Sequence, residues 1–139
     1  MAAFNKFNSF VEALVEKTHN LGSDVLKVML TNTAPLATNT VKTDITEISA
    51  GNGYTAGGSQ ATQVSSAQSS GTYKLVLNNV TFAAAGGSIG PFRYVVLYND
   101  TAASDELVGW YDFGAANTIL GGNSFTVQFD AVNGALVLT

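Results

Sequence analysis

Pro91-Phe-Arg-Tyr-Val-Val-Leu-Tyr98 is the stretch whose reading decides the fold. It is rich in aromatic and β-branched residues, enters from Gly86-Gly-Ser-Ile-Gly90 and leaves into Asn99-Asp100. Such a block, bounded by turn formers and opened by a proline, is what β-pairing selects. Phe92, Tyr94, Val96 and Tyr98 fall on one face, Arg93, Val95 and Leu97 on the other. Both faces are largely apolar, so this strand is expected to be covered on both sides.

Similar blocks lie on either side. Downstream are Leu107-Val-Gly-Trp-Tyr-Asp-Phe113, Ser124-Phe-Thr-Val-Gln-Phe129 and Ala135-Leu-Val-Leu138; upstream are Val25 to Thr31, Thr72 to Leu77 and Val80 to Ala84. Asn78-Asn79, Gly121-Gly-Asn123 and Asn133-Gly134 supply turns, and Asn-Gly between apolar runs is a strong hairpin signal because both residues tolerate positive φ. The predicted fold is mainly β: an antiparallel β-sandwich, jelly-roll-like or Ig-like, of seven or eight strands.

One helix is expected. Phe4, Phe7, Val11, Leu14 and Val15 recur at helical spacing. Ser9 with Glu12 has capping-box spacing, so the helix begins at Ser9 behind an arm holding Phe4 and Phe7, or else near Ala3. Gly22 is the expected stop, with Lys17 and His19 complementing the C-terminal dipole. The arm and helix occupy about residues 1–21 of a single domain spanning 1–139. Ile45 and Ile48 suggest a short helical turn. Residues 51–71 read as a long Gly/Ser/Thr-rich excursion anchored by Tyr54 and Val64, with one edge strand near Ala61 to Ser65.

At 139 residues the chain can bury roughly two thirds of its unfolded surface without disulfides, and it has no cysteine. Charged residues make up 12%, about half the usual share, giving a polar but sparsely charged exterior. Six basic residues against ten acidic ones, with the lysines scattered singly, argue against nucleic acid as a partner. Apolar stretches are only strand-sized and no secretion signal is recognisable, so we expect a soluble chain without membrane association.

Candidate chemistry is thin. Gly86-Gly-Ser88-Ile-Gly90 matches a nucleophile elbow by letter, but an elbow needs a helix after the serine, and here Pro91 and a strand follow. The single histidine, His19, precedes the serine instead of following it. Gly51-Asn-Gly53-Tyr-Thr-Ala56 lacks the strand and helix of a dinucleotide fingerprint. Asp100, Asp105, Glu106 and Asp112 could in principle attract a hard cation, but their spacing is not that of a calcium loop. Tyr94, Tyr98, Trp110, Tyr111 and Phe113 could stack on sugar rings if exposed, although core packing explains them better. No enzyme activity, cofactor or metal is expected.

Phe7-Asn-Ser-Phe-Val-Glu12, His19-Asn-Leu-Gly-Ser-Asp-Val-Leu-Lys-Val-Met-Leu-Thr-Asn-Thr-Ala-Pro35, Asp44-Ile-Thr-Glu-Ile48, Gly51-Asn-Gly-Tyr-Thr-Ala-Gly-Gly58, Gly90-Pro-Phe-Arg-Tyr-Val-Val-Leu-Tyr-Asn-Asp100 and Ser124-Phe-Thr-Val-Gln-Phe-Asp130 carry a resemblance along nearly the whole chain. Together they resemble a family of small virion structural proteins of tailed bacteriophages. The resemblance implies a structural role, and size and composition suit a head decoration, or cement, protein by analogy. The implied partners are the major capsid protein and further copies of the chain, in a trimer or other symmetric oligomer on the capsid exterior, after synthesis in the host bacterial cytoplasm. The alternative is a tail or fibre-associated protein contacting a host surface glycan. Contact candidates are Phe4, Phe7 and Phe10 in the arm Met1 to Phe10, with Tyr54 and Val64 in the excursion.

Overall fold

In a computed structural model describing residues 2–139, the decisive stretch lies within an eleven-residue strand, β7 (Ile89–Asn99). Met1, the first residue of the expected contact arm, lies outside the described residues. β7 is central in a five-stranded antiparallel sheet, flanked by β2 (Leu26–Thr31) and β8 (Leu107–Ile119). β1 (Phe4–Lys6) lies outside β8 and β3 (Ser59–Gln60) outside β2. A second sheet has the order β10 (Leu136–Leu138), β5 (Thr72–Leu77), β4 (Gln63–Ser69). β6 (Val80–Ala83) and β9 (Ser124–Val127) pair separately. The chain is thus mainly β, with antiparallel sheets and one helix, α1 (Asn8–Val15).

The double-sided reading of β7 is visible in two apolar clusters. Val95 and Leu97 join Val28, Leu30 and Val108 against Leu75, Phe82 and Val127 from the smaller sheets. Val96 and Tyr98, on the opposite face, pack with Met29, Leu107, Phe7 and Ile45. Phe92 breaks the alternation and packs with Val95 and Leu97. The β7–β8 pairing is irregular at this point: β7 advances two residues from Phe92 to Tyr94 while β8 advances five, from Asn117 to Asp112. Burial of each large apolar side chain contributes roughly 1.5–3 kcal/mol.

Several expectations need correction. Among the described residues there are ten strands where seven or eight were expected; β1 and β3 arise in segments read as arm and excursion. The excursion is partly strand, because residues 59–60 and 63–69 are β3 and β4, and β4 is longer than the expected edge strand. Thr72 to Leu77 is β5 as read, but Asn78-Asn79 makes no hairpin, since β5 and β6 belong to different sheets. The tight hairpin is instead β4–β5, turning at Ser70 (φ 50°) and Gly71 (φ 81°), the pair of positive angles that a type I′ turn requires. Asn133-Gly134 is no hairpin either. There the Asp130 carboxylate accepts the Val132 and Asn133 N–H groups, Gly134 donates to the Asp130 carbonyl, and β10 departs to pair with β5.

The helix runs from Asn8 to Val15, with Phe7 at its N-cap and no side-chain cap, so Ser9 and Glu12 do not form the expected box. It stops well before Gly22. Lys17 adopts φ 67°, Thr18 donates to the Ala13 carbonyl at 2.8 Å and Lys17 to that of Leu14 at 3.4 Å. This is a Schellman ending with lysine where glycine is usual. The turn expected at Asp44 to Ile48 is a 3-10 turn at Lys42–Asp44, held by the Asp44 carboxylate accepting the Thr40 and Val41 N–H groups.

Candidate interaction surfaces

The contact residues expected from the sequence are mostly spent inside the subunit. Phe7 and Phe10 are fully buried: Phe7 stacks on Trp110 at 4.6 Å between ring centroids, and Phe10 packs beside His19. Phe4, in β1, is half-buried against Tyr111. β1 pairs with β8 from Phe4↔Tyr111 to Lys6↔Gly109, and the ring of Phe4 occupies the space a side chain on Gly109 would need. A short arm carrying three phenylalanines covers apolar surface more effectively on its own sheet than in water, which corrects the reading of Phe7 and Phe10 as partner contacts.

Tyr54 is likewise a core residue. Its hydroxyl accepts the Leu30 N–H and donates to the Glu47 carboxylate at 2.7 Å, and that carboxylate also accepts the Gly57 N–H. Tyr98 donates to the Gly57 carbonyl at 2.6 Å. These bonds strap residues 47–57 to the large sheet, and burial pushes the Tyr54 and Tyr98 hydroxyls well above the usual phenol range. Tyr94 and Tyr111 are buried too, and Trp110 is half-covered by Phe7, so these aromatics form no open stacking platform. Of the five contact candidates only Val64, 60% exposed, stands free.

Two surfaces lie at sheet edges. The first is a groove of about 460 Å³ between α1 and β10, where Val11 and Val15 of the helix face Val137 and Leu138 of the strand above Phe4 and Phe10. Val11 and Val15 carried a signal in the sequence, their four-residue spacing. It reads as a core face because periodicity does not say which part of an apolar stripe is covered. In the fold Phe10 turns to the core and Val15 to the exterior. The second surface is β4, the outermost strand of its sheet, with Ser65, Ala67, Gln68 and Ser69 all exposed.

The one histidine sits in a buried polar knot. Asn99 accepts the Thr101 and Ala102 N–H groups with its side-chain oxygen, so its amide nitrogen faces His19 Nδ1 at 3.0 Å and the Asp24 carboxylate at 2.6 Å. His19 Nδ1 is therefore the acceptor and its proton resides on Nε2, which has no partner among the described residues. Burial holds the imidazole below its usual pKa, against smaller opposing effects of Glu106 and Asp24. The knot ties the helix exit to the end of β7.

The remaining titratable groups are dispersed. Asp100 pairs with Lys27 at 2.9 Å, and Asp112 pairs with Arg93 through two bonds of 2.7 and 2.9 Å, which hold its carboxyl below the usual range. Glu106 accepts the Ser104 N–H. No group of three potential metal ligands occurs among the described residues. Ser88 is exposed and followed directly by β7 instead of a helix, so the elbow geometry is missing. No helix among the described residues is long and apolar enough to cross a membrane. No family model, curated protein or solved structure matches the chain.

Proposed function

We propose that this protein is a structural component of a tailed-bacteriophage virion, and specifically a decoration protein that binds and stabilises the shell of the major capsid protein from outside. The observation that carries the reading is the division of labour between interior and surface. The histidine and four of the five tyrosines are buried in packing, and Asp100 and Asp112 are tied in ion pairs, while adhesive features, the apolar α1–β10 groove and the uncharged β4 edge, lie open. The resemblance of the chain to small phage virion proteins supports it. Sheets facing each other across a shared apolar cluster fit a sandwich of the jelly-roll or Ig kind, a scaffold that presents its edges to neighbours.

A shell that must persist outside a cell gains from many repeated contacts of modest area. A surface poor in charge keeps those contacts insensitive to salt. The α1–β10 groove is the capsid-facing surface in this reading. The tail or fibre alternative loses ground, because stacking on a glycan needs an exposed aromatic ring and the aromatics are buried or half-buried.

A stained gel of purified virions tests this. A decoration protein approaches the major capsid protein in copy number, a tail or fibre protein is present in few copies, and absence from the particle refutes both. Val15→Asp with Leu138→Asp, at exposed positions in the groove, then sharpens the assignment: the folded variant is expected to lose capsid binding.

A further inference from the structure

We propose that β4 is a self-pairing edge, and that two copies of the chain join β4 to β4 antiparallel about a two-fold axis near Ala67, making one continuous six-stranded sheet from two three-stranded ones. This inference goes beyond the virion reading and does not depend on it, because it concerns the purified protein in solution.

The other outermost strands of the two larger sheets are shielded by shortness. β1 and β10 have three residues each, β3 has two, and β1 ends in Lys6. β4 has seven residues, Gln63-Val-Ser-Ser-Ala-Gln-Ser69, without lysine, proline or any charge. Its one irregularity lies between Gln63 and Ser65. From Ser65 to Ser69 the register against β5 is regular, Ser65↔Val76 to Ser69↔Thr72. Folded proteins ordinarily blunt such an edge with charge, proline, a bulge or a cover. Here a regular row of backbone donors and acceptors is left on the outer side, open to water in the free chain, and another extended backbone matches the whole row at once.

The side chains favour a second copy as that backbone. A two-fold at Ala67 sets Ala67 opposite its own counterpart, Ser66 opposite Gln68 and Ser65 opposite Ser69. No like charges meet, small residues allow close approach, and the polar pairs can hydrogen-bond. The nearest cation on the sheet is Lys74, opposite Ala67 on β5. Across the joint the two Lys74 residues would be three strand spacings apart, about 14 Å, beyond the screening length at physiological salt. Ser65, Ala67, Ser69, Thr72, Lys74 and Val76 border one shallow outer groove, so the joint continues a flat polar surface.

The chain has no cysteine, which permits a clean test. Opposed residues of an antiparallel pair have Cα atoms roughly 4.5–5.5 Å apart, within disulfide reach. Ala67→Cys is therefore expected to oxidise rapidly to a two-chain species. Ala103→Cys, in the exposed loop after β7, is expected not to. Sedimentation of the unmodified chain should show a dimer, and Ala67→Lys, with an unchanged circular dichroism spectrum, should weaken it at least about tenfold, since it sets like charges in contact. The proposal is overturned by a chain that stays monomeric at about 1 mM, by a dimer that Ala67→Lys leaves intact, or by equal cross-linking at positions 67 and 103. It is overturned in favour of a foreign strand if the free chain is monomeric while Ala67→Lys abolishes capsid binding.

Discussion

The N-terminal segment and the β4–β5 hairpin present opposite answers to the same problem. Residues 2–15 are short and aromatic, and they are absorbed into the subunit: Phe7 and Phe10 vanish into the core and β1 closes one side of the large sheet. The hairpin is long, polar and small in its side chains, and its outer strand stays open. Conspicuous aromatic residues are therefore poor guides to what stays exposed. The large aromatic groups of the N-terminal segment are covered by their own chain, and what remains at the β4 edge is backbone and mostly small polar side chains.

The largest expected effect lies on the absorbed side. Phe7→Ala should cost about 3–5 kcal/mol, because the cavity opens between Trp110 and Ile45 in a packed cluster. Removing residues 1–8 should unfold the chain. A hairpin substitution such as Ala67→Lys should stay within about 0.5 kcal/mol, as exposed sites usually do. Thermal melts of the isolated protein decide this, and a folded, cooperative truncated chain would break the contrast by returning the arm to the role of a detachable anchor.

Gly109→Ala sharpens the contrast within the large sheet. A Cβ there would overlap the Phe4 ring and lie 2.6 Å from the Asn5 carbonyl. Overpacking of that kind costs typically 1–3 kcal/mol, and here it should loosen β1, so limited proteolysis is expected to cut near residues 4–6. On the hairpin, Gly71→Ala meets nothing within 4 Å and carries only the strain of φ 81°, roughly 1–2 kcal/mol. Equal protease resistance of Gly109→Ala and the unmodified chain would show that β1 adjusts without release.

Acid should act through the knot behind the helix. The folded His19 has a depressed pKa, so below its ordinary value of 6.5 the unfolded chain takes up a proton that the folded chain resists. Stability is therefore full above about pH 6.5 and declines as the pH falls from there toward the depressed folded value. Urea midpoints measured between neutral and mildly acid pH check it, and a profile unchanged in His19→Gln would assign the acid sensitivity elsewhere.

Smaller effects follow. Lys17→Gly should raise stability by up to about 1 kcal/mol, because glycine meets the left-handed angle without the side-chain penalty, offset in part by its backbone entropy. A lower melting midpoint would mean that the lysine side chain contributes more than its strain. Ser88→Ala, in an exposed turn, should change stability by less than about 0.5 kcal/mol and remove no activity. Any hydrolytic activity lost with it would refute the turn reading.

The amino-acid sequence alone determined the β character, the single N-terminal helix and the two-sided burial of the strand around Tyr94 to Tyr98. Those properties rest on alternation and on residue type, which act over a few neighbours. Pairing was decided elsewhere. Asn133-Gly134 carried the best hairpin signal yet makes none, while Ser70-Gly71 makes the tight turn, because strand partners are chosen by which faces can be buried together over long separations. The same holds for the surfaces. Val11 and Leu14 look alike on a helical wheel, and the edge strand read near Ala61 to Ser65 gives no sign in sequence of running on to Ser69. Only the packing of α1 beside β8, which leaves a groove next to β10, and the position of β4 at the end of its sheet, decide which side chains and which backbone groups remain exposed.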